Sequence, residues 1–164
     1  MRVLAIDPGY ERLGIAVLEK GTAGKEKLIF SDCFRTSPKE NFESRLLSIG
    51  KRTEEIIEQY SPEALSIENL FMSNNQKTAM RVAEVRGALI YIVSSRGLAV
   101  AEMTPLQIKL AVTGDGKSSK DQMMKMVDLL IDTKKPKMLD DEYDAIACGL
   151  AFFALYKSLQ IKAL

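Results

Sequence analysis

Short apolar segments open the chain and predict three β-strands. Arg2–Asp7 and Leu13–Glu19 are two such segments, joined by a turn that contains Pro8-Gly9, and Lys27–Cys33 is a third. Strands that follow one another through short connections usually pair antiparallel. We therefore expect an antiparallel meander at the start of the fold.

The next segment has the spacing of an amphipathic helix. Ser37-Pro38-Lys39-Glu40 matches a capping box with proline at the first helical position, which predicts that a helix begins there. Apolar residues then recur at helical spacing, at Phe42, Leu46, Ile49, Ile56 and Tyr60. We expect Ser61-Pro62 to end this helix and Ala64–Glu68 to form a short strand.

A second helix is predicted from Gln76 to Arg96, and its second half is apolar around most of its circumference. Such a helix must be covered on more than one side. In a domain of this size, one side can face the sheet and the other a second subunit. Leu98–Ala101 then predicts a further strand.

The C-terminal half is predicted to be mainly helical. Capping boxes at Thr104–Gln107 and Ser118–Asp121 predict two helices, the second of which runs to about Asp132. A final helix is expected from about Asp140 to Leu159. The predicted elements are three strands followed by helices that alternate with two further strands. This order is typical of an α/β fold in which helices cover the faces of a mixed, five-stranded sheet.

Composition limits the architecture and the compartment. The 164 residues are 46% hydrophobic, enough for one well-buried domain and too few for two, so residues 1–164 are expected to form a single domain. The longest apolar run, Ala145–Leu155, is typical of a buried core helix and too short to span a bilayer. The N-terminus has no signal-peptide pattern, and Cys33 and Cys148 make no disulfide framework. These features favour a reducing, cytoplasmic compartment and no membrane association.

The net charge and the absence of histidine limit the chemistry that the chain can use. With a net charge of +1, bulk charge does not indicate nucleic-acid binding, so such binding must depend on local patches. The absence of histidine excludes Ser-His-Asp and Cys-His nucleophile systems and the usual zinc sites. An enzyme of this sequence must use carboxylates, lysines, hydroxyls or a bound metal.

Four acidic residues stand where a carboxylate is unusual. Asp7 and Glu68 each end an apolar strand, and strand ends on one rim of an open sheet are where ligand crevices form. Asp141 and Asp144 lie one turn apart in the last helix, where they would repel each other unless a cation lay between them. Each acid alone has an ordinary explanation, as a turn residue, a solvent-facing strand end or a complement to the helix dipole. Together they can form an all-oxygen site for Mg²⁺ or Mn²⁺, and two such ions can promote phosphodiester cleavage.

Two glycine patterns point to other kinds of phosphate site. Ala111–Ser118 ends in Gly-Lys-Ser, but a P-loop needs glycine at the position of Ala111 and a strand where a capped helix is predicted, so this pattern is rejected. Asp7-Pro8-Gly9, followed by Gly14, resembles the phosphate hairpin of actin-like sugar kinases and ATPases. That fold needs roughly twice this length to build two lobes, which makes it the second choice.

Basic side chains are concentrated in two regions, between Thr104 and Lys137 and along the helix that follows Glu68. As single residues they have the ordinary explanation of a solvated surface, but as a group they can line a groove for backbone phosphates. Phe71 is either a core residue or a wedge that stacks on bases. The basic candidates are Lys109, Lys117 and Lys120 in the first region and Lys77 and Arg81 in the second.

Four separated motifs closely resemble the RuvC family of bacterial Holliday junction resolvases, in order and over almost the whole chain. The resemblance implies a ribonuclease-H-like fold and a homodimer packed through the long helix. It also implies symmetric, Mg²⁺-dependent paired nicks in opposed strands of a four-way DNA junction, which leave 5′-phosphate and 3′-hydroxyl ends. The motifs are Ala5-Ile6-Asp7-Pro8-Gly9, Ser66-Ile67-Glu68-Asn69-Leu70-Phe71, Ala83-Glu84-Val85-Arg86-Gly87 and Asp141-Glu142-Tyr143-Asp144-Ala145-Ile146-Ala147.

The same resemblance implies roles for particular residues. The family's junction-contacting aromatic falls on Phe71, and its two DNA-binding lysines fall on Lys109 and Lys120. Two Mg²⁺ ions per active site are expected, with Mn²⁺ as a substitute, and the RuvA–RuvB branch-migration complex is an expected partner. The family's catalytic and metal-binding positions fall on Asp7, Glu68, Asp141 and Asp144, and some relatives carry histidine at the third of these.

Three hypotheses therefore stand at this point. They are the resolvase, a small actin-like phosphotransferase and a catalytically inert junction-binding protein. ATP turnover without DNA would support the second, and tight junction binding without incision in Mg²⁺ would support the third.

Overall fold

A five-stranded sheet with helices on both faces forms the fold. A computed structural model describes residues 1–21, 24–69, 76–133, 135 and 137–155, with residues 76 and 77 described by their backbone alone. The strands are β1 (Arg2–Asp7), β2 (Arg12–Lys20), β3 (Glu26–Arg35), β4 (Ala64–Glu68) and β5 (Ala99–Met103). The helices in these ranges are α1 (Phe42–Tyr60), α2 (Gln76–Ser95), α3 (Pro105–Thr113), α4 (Lys120–Leu130) and α5 (Asp140–Leu155).

The sheet is mixed, with the strand order β3-β2-β1-β4-β5. β3, β2 and β1 pair antiparallel, as the predicted meander requires, whereas β1, β4 and β5 pair in parallel. The parallel pairs arise because α1 and α2 each return the chain across the sheet before the next strand begins. The predicted mixed sheet flanked by helices is confirmed, and β1 is its central strand.

Side-chain alternation along β1 produces two separate cores. Leu4 and Ile6 pack towards α1 and α2, and Val3 and Ala5 pack towards α3, α4 and α5. All four are fully buried, so β1 is covered on both faces. The second core is filled by α5, whose apolar run is buried from Ala145 to Phe153 as expected of a core helix. No helix within the described ranges combines the length and the apolar character needed to cross a bilayer.

The start of α1 differs from its prediction. The helix begins at Phe42 and is capped by the side chain of Asn41, so the predicted start at Pro38 is wrong. Ser37 Oγ accepts the N–H of Lys39 at 3.2 Å, a local bond that favours a turn over a helix. A capping-box pattern in the sequence does not show which of two nearby polar residues caps the helix.

The other boundaries lie close to their predictions. α3 begins at the capping box predicted for it. The cap of α4 is Ser119, one residue later than predicted, because Gln122 supplies the reciprocal hydrogen bond. β5 ends at Met103, two residues later than predicted, and the predicted end of α5 at Leu159 lies outside the described residues.

One face of α2 is exposed although much of it is apolar. Val85, Leu89 and Val93 are fully buried against α1 and the sheet, whereas Met80 is 67% exposed and Tyr91 is 74% exposed. The predicted apolar character around most of this helix is therefore present in the folded chain, and part of it faces solvent.

Candidate active site

The ends of β1 and β4 bring two acids to the same edge of the sheet. Ile6 pairs with Ile67 in parallel register, so Asp7 and Glu68, the next residues, lie level on neighbouring strands. Alternation places both on the face that carries Ala5, which packs against α5. The expectation that two acids at two strand ends meet at one edge is confirmed.

The start of α5 brings the other two acids to this edge. Cys148 accepts a hydrogen bond on its carbonyl from Ser66 Oγ at 3.0 Å, which fixes α5 over β4. Asp144 lies one helical turn before Cys148, towards the strand end where Glu68 stands. Asp141 lies one further turn towards the N-terminus. We call Asp7, Glu68, Asp141 and Asp144 the acidic edge.

Gly14 allows α5 to approach the sheet this closely. It pairs with Asp7 across β1 and β2. A Cβ atom at Gly14 would lie 2.0 Å from the carbonyl oxygen of Asp141 and 3.1 Å from Cβ of Asp7. The sequence marked Gly14 only as part of a phosphate-hairpin pattern, and its observed role is to leave space between two residues of the acidic edge.

Burial and mutual repulsion raise the pKa values of the acids. Burial, followed by the negative charges of the other three acids, raises the pKa of Asp7 from 3.8 to about 7. Burial and the charge of Asp144 raise the pKa of Glu68 from 4.5 to about 7. Burial also raises the pKa of Asp144, against the opposing effect of Lys120. A cation placed among these groups would favour their charged forms.

Two basic side chains already hold part of the acidic edge. Lys120 Nζ lies 3.1 Å from Asp144 Oδ2 and 3.3 Å from Asp140 Oδ2, and Arg12 Nε lies 3.3 Å from Asp141 Oδ2. In the described part of the chain, no three acidic, cysteine or histidine side chains are arranged closely enough to hold a metal ion. The role of Arg12 could not be predicted from the sequence, because a single basic residue after a turn gives no local signal.

A cleft of about 260 Å³ opens beside the acidic edge. Glu68 and Asp144 form its acidic side, and Lys109 and Lys120 form its basic side. The two lysines are fixed by α3 and α4, each of which starts at a complete capping box. Lys109 makes no ion pair with any residue that the structure describes, so its charge is available to a ligand in the cleft.

The other predicted DNA contacts have different surroundings. Lys117 is exposed, and its N–H donates to Asp115 Oδ1 at 2.9 Å. The guanidinium of Arg81 lies 4.0 Å from the ring centre of Phe42 and pairs with Glu84, so it is held within its own chain. The side chain of Lys77, and the whole of Phe71, lie outside the described residues.

An ion pair between an exposed lysine and a buried glutamate holds the start of α5 in place. Glu142, which is 7% exposed, accepts hydrogen bonds from Lys135 Nζ at 2.6 Å and from Ser31 Oγ at 2.9 Å. Lys135 Nζ also donates to the carbonyl of Ser31 at 2.7 Å. These bonds tie α5 to β3 one residue after Asp141. This cluster could not be predicted from the sequence, because Ser31 is more than 100 residues from the other two members.

Known proteins of one family match this chain over most of its length. A family model described as crossover junction endodeoxyribonuclease RuvC matches residues 3–152. A protein of that description from Moorella thermoacetica is 38% identical over 150 residues, which cover 92% of this chain and 89% of the relative. One from Thermosipho melanesiensis is 40% identical over 147 residues, which cover 90% of this chain and 93% of the relative.

Solved structures show the same likeness in three dimensions. Thermus thermophilus RuvC in complex with a Holliday junction substrate superposes with a TM-score of 0.90 at 29% identity, covering 100% of this chain and 99% of that one. The yeast mitochondrial Holliday junction resolvase Ydc2 shares the fold, with a TM-score of 0.73 at 14% identity over 96% of this chain and 80% of its own. These neighbours confirm the ribonuclease-H-like fold that the sequence motifs implied.

Proposed function

Since the chain belongs to the RuvC family of crossover junction endodeoxyribonucleases, we propose that it resolves four-way DNA junctions as a Mg²⁺-dependent homodimer, with residues 1–164 as one nuclease domain. Each protomer nicks one of two opposed strands, and the paired nicks leave 5′-phosphate and 3′-hydroxyl ends. The observation that carries this proposal is the meeting of four carboxylates from β1, β4 and α5 at one edge of the sheet, beside a cleft lined by lysines.

The donor set of the acidic edge fits Mg²⁺, with Mn²⁺ as a substitute, because all four side chains are carboxylates and hard cations prefer oxygen ligands. Asp7 and Glu68 have raised pKa values and lie side by side, so a cation between them would be stabilising. Asp144 and Asp141 could also hold the ion, and they would then give up their ion pairs with Lys120 and Arg12. Two bound ions per active site would lower the pKa of the attacking water and stabilise the charge of the leaving oxygen.

Lys109 and Lys120 are assigned to the DNA backbone. Lys109 lines the cleft and forms no ion pair with any described residue, and Lys120 would keep Asp140 as its ion-pair partner there if Asp144 bound the metal. Both are then placed to bind phosphate oxygens next to the acids. Lys117, Arg81 and Lys77 are proposed as further backbone contacts, and Phe71 as the aromatic that contacts the junction.

The exposed face of α2 is assigned to the homodimer. Tyr91 and Leu47 line an apolar groove of about 410 Å³ between α1 and α2, and they are 74% and 59% exposed. At Gly87 an added Cβ atom would meet nothing within 4 Å, so this side of α2 is open to the close approach of another helix. An exposed apolar surface of this kind is typical of a protein interface. The family resemblance adds the RuvA–RuvB complex as a proposed partner of the dimer.

The proposal is tested with end-labelled four-way junctions and linear duplexes of the same sequence, with Mg²⁺ or with EDTA. We expect paired nicks at symmetric positions only in the junction and only with the metal, and ligation of the nicked duplex products would confirm their ends. Equal cutting of the linear duplex would indicate a general nuclease. Tight junction binding without incision would indicate an inert junction-binding protein.

A further inference from the structure

A second cleft lies between the β1–β2 turn, the end of β3 and the start of α1. Its volume is about 210 Å³, and its walls are formed by Glu11, Arg12, Arg35, Thr36, Pro38 and Arg45. Three of these six residues are arginines and one is acidic, so the lining of the cleft has a net positive charge. We call it the arginine cleft.

Arg45 is the most unusual residue of this cleft. It is only 7% exposed, and among the described residues it forms no ion pair. Its Nε donates to Thr36 Oγ1 at 2.7 Å, its Nη2 donates to the carbonyl of Tyr10 at 3.1 Å, and its guanidinium lies 4.6 Å from the centre of the Tyr10 ring. All three partners are neutral. A buried cation whose charge is not balanced is costly, and an anion in the adjoining cleft would reduce that cost.

Two further arginines extend the positive charge towards the acidic edge. Arg12 and Arg35 face each other across β2 and β3. Arg35 is exposed and makes no ion pair within the part of the chain that the structure describes. Arg12 is paired with Asp141, so it connects the arginine cleft directly to the acidic edge.

The arginine cleft and the two lysines lie next to different members of the acidic edge. Arg12 and Arg35 lie on β2 and β3, and Arg12 pairs with Asp141, whereas Lys109 and Lys120 line the other cleft with Glu68 and Asp144. A DNA strand that crosses the acidic edge would therefore pass from one basic surface to the other. The planar fork of an arginine matches two oxygens of a phosphate group.

We propose that the arginine cleft binds a backbone phosphate of the strand being cut, a few nucleotides from the scissile bond. This inference rests on the proposed resolvase function and adds a second phosphate site to it. Arg35 supplies the accessible guanidinium, and Arg45 supplies a fixed positive charge behind it. The contact holds the strand by its backbone and is independent of base sequence.

The test compares wild type with Arg35→Gln for binding to a four-way junction in Ca²⁺, over a range of salt. The matched control is Arg96→Gln, since Arg96 pairs with Glu54 and Glu58 away from both clefts. We expect Arg35→Gln to weaken binding about tenfold and to lower the salt slope of log K by about one unit, with no change in the control. Arg45→Gln, if it folds, should have the same effect.

Single neutral methylphosphonates placed along the strand then identify the phosphate. At one position outside the scissile bond, the substitution should weaken binding by wild type about tenfold and leave binding by Arg35→Gln unchanged. The inference would be overturned if Arg35→Gln bound the junction with the same affinity, the same salt slope of log K and the same sensitivity to methylphosphonates as wild type. A different outcome would assign the cleft to a free phosphate ion. Inorganic phosphate would then raise the melting temperature of wild type at matched ionic strength, and no methylphosphonate position would depend on Arg35.

These results separate the two proposals. If wild type cuts four-way junctions in Mg²⁺ while Arg35→Gln binds normally, the arginine cleft is not a DNA site and the proposed function stands. If wild type does not cut junctions at all, the proposed function itself is wrong.

Discussion

Replacing Asp7 by Asn removes one negative charge from the acidic edge and keeps the size of the side chain. In wild type, burial and the other three acids raise the pKa of Asp7 from 3.8 to about 7, so the folded state disfavours the ionised carboxylate. At about 1.36 kcal/mol per pKa unit, this corresponds to an upper limit of about 4 kcal/mol. We expect Asp7→Asn to abolish incision and to stabilise the metal-free protein at pH 8 by about 1 to 3 kcal/mol, less than the upper limit because burial of the polar Asn amide also has a cost.

The sign of the pH dependence follows from the same pKa value. Between about pH 4 and pH 7, the folded protein binds a proton at Asp7 that the unfolded chain has released. The contribution of this group to stability is therefore largest below pH 4 and is lost as the pH rises through 7. Glu68, whose pKa is also raised to about 7, contributes with the same sign. Without metal, wild type should lose stability from pH 5 to pH 8, and Asp7→Asn should lose less.

Thermal melts in EDTA from pH 5 to pH 9 measure this effect, and each kcal/mol corresponds to about 2 to 4 °C in a chain of this size. Mg²⁺ should raise the melting temperature of wild type at pH 8 more than that of the variant. Junction binding in Ca²⁺ should stay within several-fold of wild type, since lysine contacts supply most of the affinity. The control is Asp32→Asn, which breaks a partly exposed ion pair with Arg52 and should not stabilise. A variant that melts below wild type at pH 8, or that cuts at a comparable rate, would refute this reasoning.

Other predictions follow from single contacts. Lys109→Ala and Lys120→Ala should each weaken junction binding and lower the salt slope of log K by about one unit, and an unchanged slope in both would place the DNA groove elsewhere. Tyr91→Glu should sediment as a folded monomer at micromolar concentration. The control variant Leu129→Glu should remain dimeric, because Leu129 is 79% exposed on α4. A monomeric wild type would contradict the assigned interface. Gly14→Ala should lower the free energy of unfolding by about 3 kcal/mol and abolish incision, because the new Cβ atom meets the carbonyl of Asp141. If the variant melted at the same temperature as wild type, the structure would have relaxed around the new contact.

The fold could be predicted because its main signals are local. The apolar runs of β1 and β4 are short and end in acids, and parallel pairing of these strands brings Asp7 and Glu68 together. The apolar run of α5 follows Asp144 directly, which places that acid at the border of the core. These signals need only the periodicity of strands and helices, which a single sequence displays.

The missed features depend on contacts between distant segments. Arg12 meets Asp141, and Ser31 meets Lys135 and Glu142, only after the sheet and α5 have assembled. No spacing in the sequence indicates these pairs. The wrong start of α1 has a different cause, because two candidate caps lie close together there and the turn at Ser37 competes with the helix.

The position of β1 also determines how the site opens. Its amides lie between β2 and β4 and its side chains are buried on both faces, so we expect them to exchange with deuterium only through global unfolding. Lys109 and Lys120 stand on α3 and α4, which carry exposed residues such as Leu106 and Leu129 and should exchange by local opening. A DNA strand at the acidic edge would then meet Asp7 at the end of a slowly exchanging strand and the two lysines on helices that exchange faster. Faster exchange in α3 and α4 than in β1 would show that one wall of the active site moves and the other is fixed.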